Sequence, residues 1–265
     1  MKRTKTYFAS DFHLGIDARM SSLERERQIV RWLEQIRKDA EAIYLVGDVF
    51  DFWFEYKRAV PKGFVRLLGK LAELRDSGIP IYFFIGNHDM WMFRYFETEL
   101  DIPIYRKPIV RKIQGRTFMI GHGDGLGPGD HGYKFIKKVF ANPVCQWLFE
   151  RLHPNFGIWL ASYWSGKSRK ANPETKPFLG PEREWLIQYC ERKLEEVPVD
   201  YFIFGHRHLP IDYTLKNGKS RYINLGEWLC YSSYAVFDGE ELEVCFFENS
   251  EGMVFGKRKN QIDKQ

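Results

Sequence analysis

The sequence predicts an α/β fold, a sandwich of two β-sheets packed face to face between helices, with a helical insertion. The first periodic segments follow the order strand, helix, strand, helix, strand, which favours parallel strands joined by right-handed crossovers. The second half contains Asn217-Gly218 and Asp238-Gly239, dipeptides typical of β-hairpins, which indicate antiparallel strands. With 265 residues, 44% of them apolar, the chain can bury the core of one large domain.

The predicted helices are recognised by apolar residues at helical spacing and by their terminal signals. Ser21 and Glu24 form a capping box that begins the first helix. Ser77 and Gly78 end the second helix, because glycine readily adopts the backbone conformation that terminates helices. The helices are expected over about residues 21–40, 62–75 and 181–195.

The predicted strands are short apolar runs, most of which end in glycine or another small residue. A hairpin is expected around Gln114-Gly115, with strands over residues 109–113 and 116–120. Further strands are expected at about residues 4–9 and 80–85, and immediately before Asp48 and His206.

Five of these strand-like runs are followed by residues that commonly bind metal ions. Because the carboxyl ends of neighbouring parallel strands lie at one edge of a sheet, we expect these residues to meet in one pocket. Their carboxylate, amide and imidazole groups suit Mn²⁺, Fe²⁺ or Zn²⁺ better than Ca²⁺. They exceed the needs of one ion, so we expect two divalent ions about 3.5–4 Å apart that share Asp48. The candidate ligands are Asp11, His13, Asp48, Asn87, His122, His206 and His208.

Taken singly, each of these residues has an ordinary structural interpretation. An Asp after a strand is often a cap of a helix or turn, and a single His is more often a core or surface residue than a ligand. The presence of all seven at strand ends favours the metal site. It also argues against a non-catalytic scaffold, which would be expected to have lost ligands.

At these positions the sequence resembles the calcineurin-like metallophosphoesterases. Their blocks Asp-x-His, Gly-Asp, Gly-Asn-His-Asp/Glu, Gly-His and Gly-His-x-His occur here in order, at residues 11–13, 47–48, 86–89, 121–122 and 205–208. The resemblance implies that Asp11, His13, Asp48 and His208 hold one ion, expected to be Mn²⁺. It implies that Asp48, Asn87, His122 and His206 hold the second. His88 is then expected to act on the phosphate or the leaving oxygen, oriented by Asp89.

A wider resemblance connects the chain with the UDP-2,3-diacylglucosamine pyrophosphohydrolases of lipid A synthesis. It rests on residues 11–15, 47–53 and 225–228, and on residues 122–125 followed by Asp130 and Tyr133. These enzymes hydrolyse the pyrophosphate of their lipid-linked nucleotide sugar, with attack of water on the α-phosphorus. The resemblance therefore implies UMP and 2,3-diacylglucosamine 1-phosphate as products.

Two positions leave the substrate open. The best-known branch of that family has Arg where this chain has His88, so another nucleotide or nucleotide-sugar substrate is the alternative. Arg207, between the last two histidines, is expected either to contact phosphate or to point to solvent.

Residues 131–180 form the expected helical insertion, which is both basic and aromatic. The insertion contains eight Lys or Arg against two Glu, enough to account for the positive excess of the whole chain, which has 40 Lys and Arg against 35 Asp and Glu. An aromatic and apolar stripe at helical spacing consists of Phe156, Trp159, Leu160, Tyr163 and Trp164.

The insertion suits an anionic lipid or the surface of an anionic membrane. Lys167 and Lys170, with Tyr133 and Asp130, are the candidates for contacting the sugar phosphate. The alternative is an ordinary helical hairpin that packs its stripe on the main domain. A nucleic-acid enzyme is disfavoured, because its phosphate contacts would be spread along a basic groove.

The remaining features concern domain organisation and location. We expect one domain over residues 1–255 and a disordered tail over residues 256–265. No apolar run resembles a signal peptide or a membrane span, and the four cysteines lack zinc or disulfide spacing. The protein is therefore expected in the cytoplasm, peripheral on the inner face of the inner membrane. The sequence makes no prediction of the oligomeric state.

Overall fold

The computed structural model describes residues 3–127, 131–171, 177–250 and 252–256, without the side chains of residues 131–133, 162 and 164–171. The described strands form two sheets. Those of the first sheet are β1 (Lys5–Ala9), β2 (Ala40–Val46), β3 (Ile81–Phe84), β4 (Ile104–Tyr105), β10 (Ser233–Phe237) and β11 (Leu242–Phe246). Those of the second are β5 (Ile109–Ile113), β6 (Arg116–Ile120), β7 (Tyr201–Phe204), β8 (Pro210–Thr214) and β9 (Arg221–Leu225).

The first sheet has the order β11-β10-β1-β2-β3-β4, and its strands β1 to β4 are parallel. Strands β10 and β11 extend it as an antiparallel hairpin. The second sheet has the order β5-β6-β7-β9-β8, with β6, β7 and β9 parallel. The parallel neighbours β1, β2 and β3 of one sheet, and β6 and β7 of the other, are the strands that precede the candidate ligands.

The helices are α1 (Ser22–Ile36), α2 (Val65–Asp76), α3 (Tyr95–Leu100), α4 (His131–Ala141), α5 (Pro143–Glu150), α6 (Pro154–Ala171) and α7 (Trp185–Glu196). The predicted capping box at the start of α1 is present, with Ser21 and Glu24 each bonded to the backbone amide of the other. Helix α2 begins later than predicted, because Phe64 before it has a left-handed backbone (φ 57°). Helix α7 also begins later, at Trp185.

Three apolar layers hold the fold together, and strand alternation produces them. Tyr7 and Ala9 of β1 pack towards α1 and α2, whereas Phe8 between them packs into the space between the sheets. Helix α7 covers the outer face of the second sheet, with Leu186 against Phe202 and its neighbours. The order helix layer, sheet, sheet, helix layer confirms the predicted α/β sandwich.

Candidate metal centre

The structure brings the loops after β1, β2, β3, β6 and β7 together at one end of the two sheets. Ligand atoms of Asp11, His13, Asp48 and His208 lie within 4.8 Å of one another. Ligand atoms of Asp48, His122 and His206 form a second group within the same distance. Asp48 belongs to both groups, which is the geometry expected of a carboxylate shared by two ions.

Short distances between ring nitrogens and carboxylates define the two groups. In the first, Nε2 of His208 lies 3.1 Å from Oδ1 of Asp11 and 3.2 Å from Nε2 of His13. In the second, Nε2 of His122 lies 3.2 Å from Oδ2 of Asp48. Groups of this kind approach each other so closely in the interior of a protein where they share a cation or a proton.

Several polar atoms of the cluster are buried without a hydrogen-bond partner among the described residues. They include Oδ1 of Asn87 and Nδ1 of His208. Buried polar atoms are nearly always satisfied, so atoms of this kind indicate a missing partner such as an ion. Oxygen and imidazole nitrogen donors in this arrangement fit a pair of divalent cations.

Five of the candidate ligands have left-handed backbone conformations, which residues other than glycine rarely adopt. Their φ angles lie between 45° and 66°. Such conformations cost of the order of 1 kcal/mol or more each and persist where the surroundings hold them, often at functional sites. The residues are Asp11, His13, Asp48, His206 and His208.

Glycines in these blocks are needed because the ligands of neighbouring loops lie directly against their backbones. A Cβ atom at Gly47 would lie 2.5 Å from Nδ1 of His122. A Cβ atom at Gly86 would collide with the carboxylate of Asp48, and one at Gly205 with that of Asp11. Each of these three glycines therefore leaves room for a candidate ligand that comes from another block.

The electrostatics of the second group keep its carboxylate ionised. Burial by itself raises the pKa of Asp48, but the nearby His122 and His88 outweigh burial and hold this pKa well below its usual value. Burial, with the neighbouring His122, lowers the pKa of His206 to about 4. Burial by itself lowers the pKa of His122, but the charge of Asp48 outweighs burial and raises this pKa well above its usual value. Imidazole binds metal ions in its neutral form, so an ion that binds here displaces the proton of His122.

Residues 4–210 match the family model described as calcineurin-like phosphoesterase, which covers all five ligand loops. The chain belongs to this phosphoesterase family. It is 40% identical to the UDP-2,3-diacylglucosamine hydrolase of Porphyromonas gingivalis (strain ATCC BAA-308 / W83), over 94% of this chain and 100% of that protein. It is 29% identical to the hydrolase of the same name from Aeromonas salmonicida (strain A449), over 87% of this chain and 89% of that protein.

Among solved structures, the phosphoesterase is similar to Yfce from E. coli, with a TM-score of 0.46. The two are 18% identical over 92% of this chain and 93% of that chain.

Asp51 is a residue of the phosphoesterase centre that sequence reasoning missed. Its carboxylate lies 3.5 Å from Nδ1 of His13, and its carbonyl oxygen lies 3.0 Å from Nδ1 of His88. Burial lowers the pKa of His13, yet hydrogen bonds with Asp11 and Asp51 outweigh burial and raise this pKa to about 10. Asp51 thus lies behind the candidate ligand His13 and orients its ring, as carboxylates commonly do for metal-binding histidines. Its place three residues after Asp48 was the available signal.

Asp89 has partners other than the expected one. Its carboxylate accepts hydrogen bonds from the backbone amides of Gly86 (2.6 Å) and Val49 (2.9 Å). It therefore ties the loop after β3 to the loop after β2. The ring of His88, which Asp89 was expected to orient, lies against Asp51 instead.

A cavity of about 750 Å³ begins beside the centre and extends into the helical segment α4 to α6. Asn87 and His88 line it at the metal centre, and Lys137 of α4 also lines it. Lys137 donates a 2.5 Å hydrogen bond to the buried carboxylate of Asp124. The rest of the lining is largely apolar and includes Phe52, Trp91, Phe140, Leu148, Phe149 and Leu160.

The predicted substrate contacts lie outside what the structure describes. Asp130 is outside the described residues, and so are the side chains of Tyr133, Lys167 and Lys170. Their roles stay predictions. The expected tail is likewise outside the described residues beyond Gly256.

Arg25 of α1 supports the first ligand loop from below. It is fully buried, and its guanidinium donates to the carbonyls of Phe12 (2.8 Å), His13 (2.7 Å) and Ile16 (2.6 Å).

Replacing Arg25 by Met leaves these carbonyls without their donors, so we expect the free energy of unfolding to fall by about 2–4 kcal/mol. Urea denaturation measures this change. Arg27→Met is the control, because Arg27 is exposed on the same helix and its loss should change stability by less than about 0.5 kcal/mol. Equal effects of the two substitutions would contradict the role given to Arg25.

Proposed function

We propose that this phosphoesterase hydrolyses the pyrophosphate bond of UDP-2,3-diacylglucosamine to UMP and 2,3-diacylglucosamine 1-phosphate. The observation that carries the proposal is the cavity that joins His88 and Asn87 to an apolar interior. A substrate with one phosphate-bearing end and two acyl chains needs both environments in continuity. The relatives named as UDP-2,3-diacylglucosamine hydrolases support the same substrate.

Two Mn²⁺ ions are proposed as the cofactor. Asp11, His13, Asp48 and His208 would hold one, and Asp48, Asn87, His122 and His206 the other. When bound, such ions polarise a phosphoryl oxygen and activate water at neutral pH. The protein contributes fixed ligand loops and buried carboxylates, which require little rearrangement when the ions bind.

His88 is proposed to contact the substrate phosphate. It lies at the junction between the metal centre and the cavity, with a ring that is about one-fifth exposed (20%). The carbonyl of Asp51 bonds to Nδ1, which fixes the ring and directs Nε2 as the atom for the phosphate. In this position His88 orients the α-phosphate and stabilises the leaving oxygen.

The helical segment is proposed to take the acyl chains and to rest on the membrane. Leu160 of α6 lines the cavity, whereas Phe156, Trp159 and Tyr163 of the same helix are at least half exposed (50–59%). The four stripe residues whose side chains the structure describes are therefore divided between the cavity and the surface. Exposed aromatic side chains in a segment of basic composition favour contact with an anionic lipid surface.

None of the described helices has the length and apolar character needed to cross a bilayer. Peripheral contact with the inner face of the inner membrane is proposed from the exposed aromatic side chains of α6. Asp130, Tyr133, Lys167 and Lys170 are proposed to bind the sugar phosphate near the entrance to the cavity.

The test is release of UMP from UDP-2,3-diacylglucosamine in detergent micelles by the purified full chain with Mn²⁺. We expect release that is abolished by a chelator and restored by added Mn²⁺. Bis(p-nitrophenyl) phosphate serves as the comparison substrate, since it requires the metal centre and not the apolar cavity. Cleavage of this ester without release of UMP would reject the lipid substrate and favour another nucleotide or nucleotide sugar.

A further inference from the structure

Arg207 lies between two candidate ligands, His206 and His208, and its guanidinium forms a buried ion pair. Nε donates to one carboxylate oxygen of Glu184 (2.9 Å) and Nη2 donates to the other (3.0 Å). The side chains of Arg207 and Glu184 are 13% and 4% exposed. A paired contact of this kind fixes orientation as well as charge, and lysine cannot reproduce its geometry.

The loop that carries Arg207 needs outside support. His206 and His208 both have left-handed backbones, with φ angles of 66° and 56°. On one side, the backbone amide of His206 donates to the carboxylate of Asp11 (3.1 Å). On the other side, the Arg207 side chain reaches Glu184. Because strained backbone persists only where several contacts determine it, both attachments bear on where the two imidazoles lie.

The same guanidinium also reaches the chain where it returns from the helical segment. Nη2 of Arg207 donates to the carbonyl of Pro177 (2.9 Å), which begins the described stretch after α6. Glu184 directly precedes α7, and the ring of Trp185 lies edge-on to the ring of His206, with centroids 6.0 Å apart. One side chain therefore connects the loop of His206 and His208 to the stretch that follows helices α4 to α6.

We propose that the ion pair of Arg207 with Glu184 positions His206 and His208 and thereby sets the affinity of the centre for divalent cations. Arg207 is a positioning residue in this account, and its guanidinium is committed to protein groups and not to substrate phosphate. The inference rests on the metal centre proposed above and is independent of the identity of the substrate.

The test is calorimetric titration of Mn²⁺ into the chelator-treated full chain and its variants. We expect Arg207→Gln and Glu184→Gln each to weaken the binding of at least one Mn²⁺ by about tenfold or more. Loss of a residue that orients metal ligands typically weakens metal affinity by about 10- to 100-fold. Because the two residues act as one unit, the double variant should bind Mn²⁺ no worse than the weaker single variant. Arg207→Lys keeps the positive charge but loses the two-pronged contact with Glu184, so its affinity for Mn²⁺ should be intermediate. This variant provides the test if Arg207→Gln does not fold.

Arg221 provides a matched control. It forms a similar two-pronged pair with Asp212 (3.0 and 2.6 Å) on β9 and β8 of the same sheet, away from the ligand loops. Arg221→Gln should lower the melting temperature. It should leave the affinity for Mn²⁺ within about twofold of wild type, because substitutions at distant sites without shared partners act independently. If Arg207→Gln bound Mn²⁺ with wild-type affinity, or if Arg221→Gln weakened Mn²⁺ binding equally, this inference would be wrong and the proposed metal centre would still stand. Failure of the wild-type chain to bind two Mn²⁺ ions would overturn the metal centre and this inference together.

Discussion

Replacing Asp48 by Asn is expected to lower kcat/KM by at least about a thousandfold, because one substitution removes the negative charge shared by both cation positions. Asn has nearly the volume of Asp and retains one oxygen. It can still accept the hydrogen bond that the His88 amide donates to Oδ1 (2.8 Å). The loss then reflects charge and coordination more than packing. Steady-state hydrolysis of the lipid substrate and of bis(p-nitrophenyl) phosphate measures it, and both activities should fall equally.

The control for this substitution is Asp212→Asn. Asp212 is also a buried carboxylate with a charged partner, Arg221, but it lies outside the ligand loops. Its replacement should cost stability and leave kcat/KM within about twofold. Calorimetry adds an independent measurement, since Asp48→Asn should impair binding of both Mn²⁺ ions. Loss of only one ion, or activity within about tenfold of wild type, would show that Asp48 does not bridge the two positions.

The fold and the ligand loops could be predicted because their signals are local in the sequence. A buried strand is a short apolar run, and the residue after it lies at the sheet edge whatever the rest of the chain does. Asp48 and Asn87 are examples, each directly preceded by a glycine whose missing side chain makes room for a ligand. The parallel arrangement of β1 to β3 followed from the alternating order of strands and helices.

Contacts between distant residues could not be predicted, because spacing carries no information about which side chain faces which. Arg25 is an example, since an Arg on an amphipathic helix is usually exposed. Arg207 is another: sequence reasoning expected a phosphate contact or a solvent-exposed side chain, and its partner is Glu184, 23 residues away. The stripe of α6 shows the same limit, because helical spacing cannot tell a surface face from a cavity wall.

Replacing Gly86 by Ala is expected to damage both stability and activity through a single methyl group. The backbone of Gly86 is not left-handed, so alanine can adopt its conformation and the effect arises from crowding. The added Cβ would lie 2.7 Å from the backbone nitrogen of Asp48 and would collide with the Asp48 carboxylate. We expect the free energy of unfolding to fall by about 1–3 kcal/mol. We also expect kcat/KM to fall about a hundredfold, because displacement of a ligand by about 1 Å is costly.

Gly69→Ala is a control that makes the same chemical change but is expected to alter stability in the opposite direction. Gly69 lies in the interior of α2, where an added Cβ meets nothing within 4 Å. Alanine lowers the entropy of the unfolded chain, so the free energy of unfolding of this variant should rise by about 0.5–1 kcal/mol. Its activity should be unchanged. Urea denaturation and steady-state kinetics on both variants separate the two effects. If Gly86→Ala were as active as Gly69→Ala, the carboxylate of Asp48 could move without loss, and a rigid ligand cluster would not be the basis of hydrolysis.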